Sequence, residues 1–230
     1  MREKEKKQAL MQELDFLKSE KHREFSKKIM NTSLEVLGVN IPTLKKIARR
    51  ITKEDIDAFI NCYEGKYFEE CMLYGLAIAY TNDIEILSKY LVPFSKEIKD
   101  WGCCDYCANS MKIIREHQEL FKPYIEIFLN SENEFEVRFG LVLLLNHYMN
   151  AQYIAYILKV CLSLKSTQYY INMAIAWLLC ECYIKFPKQT NQYIDAKYLS
   201  KFVLNKTISK ISDSYRVSSA EKKALKKRRI

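Results

Sequence analysis

The chain has 230 residues, room for one good core or two small ones, and its 49% hydrophobic and 13% aromatic content is globular rather than disordered. Only 5 glycines and 4 prolines are present, too few for the hairpin turns and βα loops that sheet architectures use. The 37 Lys and Arg against 28 Asp and Glu leave a net charge of +9, which favours a polyanionic partner such as DNA, RNA or an acidic membrane surface, although a merely solvated basic surface carries the same charge.

The chain opens on MREKEKKQ, charged and with no apolar stretch behind it, so no targeting segment is read there. Residues 1–8 and 225–230 are expected to fray. Start signals of the Ser/Thr-x-x-Glu type follow at Thr32–Glu35, Ser131–Glu134 and Ser218–Glu221. IPTLKKIARRI (41–51) places Leu44, Ile47, Ala48 and Ile51 on one helical face and Lys45, Lys46, Arg49 and Arg50 on the others. Pro42 suits a first helical turn. No run alternates in strand fashion, and ten or more helices with short connections are expected.

Next comes DWGCCDYC (100–107). On a helix, Trp101 and Asp105 share a face, continued by Ala108 and Lys112. A core tryptophan beside a capping or ion-paired aspartate gives the same pattern. Cys104-x-x-Cys107 is half of a zinc spacing with no second half, so the 8 cysteines read as reduced packing residues and no metal is expected. In EFEVRFGLVLLLNHY (134–148), Arg138 is a lone cation entering an apolar helix, where a charge usually reaches a partner. Trp177 sits in MAIAWLLC (173–180), which, like LVLLL (141–145), is too short to span a bilayer. Shifting the chain by 35 overlays VLLLNHY (142–148) on WLLCECY (177–183). Paired helices at such a period are the mark of TPR or HEAT-like arrays. The fold expected is therefore all-α, a HEAT-like helical-repeat solenoid formed as a single domain over 1–230.

These segments together carry a resemblance. LGVNIPTLKKIARRI (37–51), YFEECMLYGLAIAY (67–80), DWGCCD (100–105), EFEVRFGLVLLLNHY, YYINMAIAWLLCECY (169–183) and SYRVSSAEKKALKKRR (214–229) resemble, in order, segments of the DNA alkylation-repair family, the AlkD-like alkylpurine DNA glycosylases. The resemblance implies a solenoid binding duplex DNA in a concave groove and hydrolysing the N-glycosidic bond of N3- and N7-alkylated purines. It puts the family's two groove tryptophans at Trp101 and Trp177, its catalytic aspartate at Asp105 and its phosphate-contacting arginine at Arg138. Lys45, Lys46, Lys112, Arg115 and Lys185 are further candidates for DNA contact. Gly102 and Cys180 stand where one branch of the family has an acid and an arginine. The implied partner is double-stranded DNA containing alkylated purines, with no metal or organic cofactor, no membrane, a monomeric state, and a cytoplasmic, nucleoid-associated location. A DNA-binding relative without excision activity and a protein-interaction solenoid are the alternatives.

Overall fold

A computed structural model describes residues 2–230. The described residues are all-α, with fourteen α-helices and two 3-10 turns; the only β pairing among them is an isolated parallel bridge between Glu35 and Tyr67. No helix among them is long and apolar enough to cross a membrane. They divide into two compact units, 1–124 and 125–230, with the boundary inside α8 (Gln118–Leu129).

In the first unit, α1 (Arg2–Phe16) and α2 (Glu20–Met30) precede α3 (Ile41–Glu54), α4 (Ile56–Asn61), α5 (Phe68–Ala79), α6 (Ile84–Glu97) and α7 (Trp101–Ser110). A 3-10 turn, Lys112–Arg115, follows. Helix α3 buries Leu44, Ile47, Ala48 and Ile51, the expected face, and carries Pro42 in its first turn. Both α3 and α7 pack on α5. All twelve residues of α5 are buried, as a helix without a polar face requires. Two of the twelve are carboxylates, and both are satisfied by backbone donors. Glu69 accepts the N–H groups of Leu37, Gly38 and Val39 at 3.0, 2.8 and 3.2 Å. Glu70 accepts those of Lys66 and Tyr67, both at 3.2 Å. A buried carboxylate deprived of such donors is strongly destabilising, so the first turn of α5 fixes the link leading into α3 and the residues leading into α5 itself. Gly38 has φ +97°, and a Cβ built on it would stand 2.4 Å from the Ser19 carbonyl oxygen and 2.8 Å from the Arg23 nitrogen, a place open only to glycine.

Helix α7 is seated closely on α5. A Cβ built on Gly75 would stand 2.3 Å from Phe94 Cζ and 2.4 Å from Cys107 Sγ. The Sγ atoms of Cys71 and Cys103 lie 3.0 Å apart. Cys103, Cys104 and Cys107 have no exposure, and burial pushes the Cys103 and Cys107 thiols up, which keeps them neutral and unreactive.

The second unit contains α9 (Glu134–His147), α10 (Ile154–Ser163), α11 (Tyr169–Lys185), α12 (Pro187–Thr190), α13 (Lys201–Asp213) and α14 (Ser219–Lys226), with a 3-10 turn at Asn191–Tyr193. Here α11 is the enclosed helix, packed on both α9 and α13. The 35-residue offset in the sequence is the offset between the starts of α9 and α11, at Glu134 and Tyr169. Near the C-terminal end, Arg228 donates to the carbonyls of Asn191 and Ile194, and Asn205 donates to the Ile230 carbonyl.

One of the three start signals forms a capping box. Ser218 and Glu221 exchange side-chain and backbone hydrogen bonds at the head of α14. Thr32–Glu35 starts no helix: Glu35 pairs with residues 66–68 in the bridge, and the next helix is capped by Asn40. The Ser131 signal is displaced by two residues. Asn133 caps α9, because Glu134 is drawn away to accept the Tyr170 N–H at 2.6 Å.

The Gly75 seat leaves no room for a methyl group. Gly75→Ala is expected to lower the unfolding free energy by about 1–3 kcal/mol, seen as a lower urea midpoint at unchanged slope. A loss under about 0.5 kcal/mol, the range of an ordinary surface change, contradicts that packing.

Candidate functional site

The start of α7 is set by Asp100, whose Oδ1 accepts the Cys103 N–H at 2.8 Å. Asp100 is fully buried. Burial raises its carboxyl above the ordinary aspartate value, and the charge of Asp105 adds a small push in the same direction. With the first turn so fixed, Trp101 and Asp105 project from one face, and both are half-buried. The Trp101 Nε1–H donates to the Ile29 carbonyl at 3.1 Å, which anchors the indole to the end of α2. The expected stripe ends there. Ala108 is fully buried, and α7 stops at Ser110, so Lys112 lies on the following 3-10 turn rather than on the helix face.

Between α3 and the end of α7 opens a pocket of about 590 Å³. Lys45 and Arg49 reach it from α3, and Asn109 and Lys112 from the other side. The Lys45 ammonium lies 5.6 Å from the centre of the exposed Tyr106 ring, next to Asp105 in the chain. The Arg49 guanidinium lies 4.6 Å from the centre of the Tyr80 ring. Lys46 and Arg115 are exposed and do not line the pocket.

In the second unit, Trp177 is half-buried in a surface pocket of about 460 Å³ with Cys180, Lys210, Tyr215 and Arg216. The Lys210 ammonium is 6.0 Å from the Trp177 ring centre. Arg216 holds Glu181 through two hydrogen bonds, at 2.6 and 3.0 Å. Lys210 and Arg216 thus supply cations beside Cys180. Arg138 is buried, only 6% exposed, and donates to the Tyr170 carbonyl at 3.0 Å. Lys185 is exposed in the last turn of α11.

The structure thus brings Trp101 and Asp105 together, and Lys45 with Lys112. It adds Arg49 and Tyr106, which the sequence reading did not select. Arg49 was within reach of that reading, being four residues past Lys45 and so on the same side of α3. Lys210, Tyr215 and Arg216 lie over 30 residues from Trp177 and left no local signal.

A family model described as DNA alkylation repair enzyme matches residues 10–211, from α1 into α13. The chain belongs to that family. No curated protein matches it. As a DNA alkylation repair enzyme the chain has DNA as its partner.

Asp100 yields a pH test of the platform. Its folded pKa is raised above the ordinary 3.8, so its contribution to stability is full below that pH and falls as pH rises through the folded value. Asp100→Asn keeps an acceptor at the cap but cannot titrate. Wild type is expected to lose stability relative to Asp100→Asn as pH is raised above the ordinary aspartate value of 3.8, measured by urea unfolding. A difference independent of pH contradicts the raised carboxyl.

Proposed function

We propose that the chain is a DNA glycosylase that hydrolyses the N-glycosidic bond of N3- and N7-alkylated purines in duplex DNA. The observation that carries this reading is the pair on α7. A half-buried carboxylate stands one helical turn from a half-buried indole, on a helix whose opposite side is packed with thiols. Membership of the alkylation-repair family supplies the class of substrate.

The chemistry follows from the lesion. An N3- or N7-alkylpurine carries a formal positive charge, and leaves as a neutral base when the C1′–N bond breaks with its electron pair. The sugar is left as an oxocarbenium-like cation. Asp105 stabilises that developing charge and orients a water molecule. The water oxygen bonds to C1′, and the proton it loses passes to the carboxylate or to solvent. The electron-rich face of Trp101 attracts the cationic nucleotide, an effect of about 0.5–2 kcal/mol. Water is the only co-reactant the reaction requires. Arg138 and Trp177 enter as DNA contacts through the family resemblance. Trp177 would do so with Lys210 beside its ring, so its face is shared between two cations.

Release of free base from duplexes containing a single lesion tests this reading. 7-Methylguanine and 3-methyladenine are expected to be released and uracil, a neutral pyrimidine lesion, retained. Trp101→Ala is expected to lower kcat/KM for the cationic lesions by about 2- to 30-fold, the loss of a cation–π contact. Binding of alkylated duplex without release of either base contradicts a glycosylase and leaves a binding relative without excision.

A further inference from the structure

We propose that the pocket between α3 and the end of α7 holds a backbone phosphate of duplex DNA, gripped by Lys45, Arg49 and Lys112. This rests on the reading of the chain as a DNA repair enzyme, but not on which bond it cleaves. The first observation is charge. None of these three cations has a hydrogen-bond or ion-pair partner among the described residues, although nearby cations do: Arg50 is held by Glu13, and Lys89 by Asp57 at 2.7 Å. Three unneutralised cations line one cavity with a single acid, Glu116. The second observation is geometry. Arg49 lies against the Tyr80 ring, which fixes its plane and leaves its fork of N–H donors for a planar or tetrahedral oxyanion. Asn82 and Asn109 add neutral donors to the lining. The volume, about 590 Å³, exceeds a lone phosphate and admits the sugars attached to it.

A competing explanation lies in the same pocket. Tyr80 and Ser110 mark the C-terminal ends of α5 and α7, and cations near helix C-termini stabilise them through the helix dipole. That role affects folding and leaves DNA binding alone, so the two are separable.

The experiment measures binding of undamaged duplex DNA by the full chain over a range of salt concentrations. Arg49→Ala and Lys112→Ala are compared with wild type and with Lys53→Ala, which alters an exposed cation of the same helix as Arg49 outside the pocket. Each pocket variant is expected to bind about 5- to 10-fold more weakly whatever the sequence, and to lower the salt slope by about 1, as loss of one phosphate contact does. Arg49→Lys is expected to recover only part of the loss. Inorganic phosphate at constant ionic strength is expected to compete with DNA for wild type and not for Arg49→Ala. An unchanged salt slope with a lowered melting temperature would show that the cations serve the helix ends, and overturns the proposal. An equal loss in Lys53→Ala would show diffuse attraction, and overturns it too. So would phosphate raising the melting temperature of wild type while Arg49→Ala binds DNA normally, since the site would then belong to free anions. Because the duplex carries no lesion, failure of the glycosylase reading leaves this test intact.

Discussion

The close seat of α7 on α5 is the constraint on which the rest depends. Gly75 lets Phe94 and Cys107 approach the α5 backbone, and the Cys71–Cys103 contact holds the next turn in place. A helix has only one way to turn once such a contact is set, because overpacking by a single methyl group already costs about 1–3 kcal/mol. With the cysteines inward, Trp101 and Asp105 are left on the other side. The cysteine-rich character of DWGCCDYC thus has a structural reason. Small, apolar, protonated thiols let two helices come close, and that fixes the direction of one carboxylate.

Charge is distributed with the same economy. The acids that organise the fold are buried and provided with backbone donors, as Glu69 and Glu70 are by the segments that lead into α3 and α5. Asp100 performs a comparable task at the head of α7, at the cost of a raised carboxyl. Asp105 is only half-buried, so its charge faces the surface side of the same helix. Within the first unit the basic excess is uneven: some cations are spent on ion pairs, while those around the α3–α7 pocket are not. A half-buried carboxylate on α7 and a pocket of unpaired cations at the end of the same helix suit the proposed ligand, anionic along its backbone and cationic at one base.

Much of this was legible in the sequence. The buried face of α3 followed from the spacing of Leu44, Ile47, Ala48 and Ile51, because burial of an amphipathic face leaves a 3.6-residue period. The 35-residue offset located α9 and α11 for the same reason. The Trp101–Asp105 pairing also followed from helical geometry alone. What failed was governed by distant contacts. Thr32 and Ser131 carry good local start signals, but Glu35 is taken by the bridge to Tyr67 and Glu134 by the Tyr170 amide. Lys112 belonged to the expected stripe only while α7 was thought to continue past Ser110. The DNA contact that the resemblance assigns to Arg138 remains part of the proposal; in the structure its side chain is buried and donates to a backbone carbonyl 32 residues away. The cations beside Trp177 come from α13 and the residues after it, and no local pattern in α11 announces them.

The most direct test of the central claim is single-turnover release of 7-methylguanine from duplex DNA by wild type and Asp105→Asn, with duplex binding followed on the same samples. The substitution keeps shape and hydrogen-bonding capacity and removes the charge. The account predicts a rate lowered by about 100-fold or more, the usual scale for losing one group that stabilises transition-state charge, at nearly unchanged binding. Release at the wild-type rate by Asp105→Asn would contradict it.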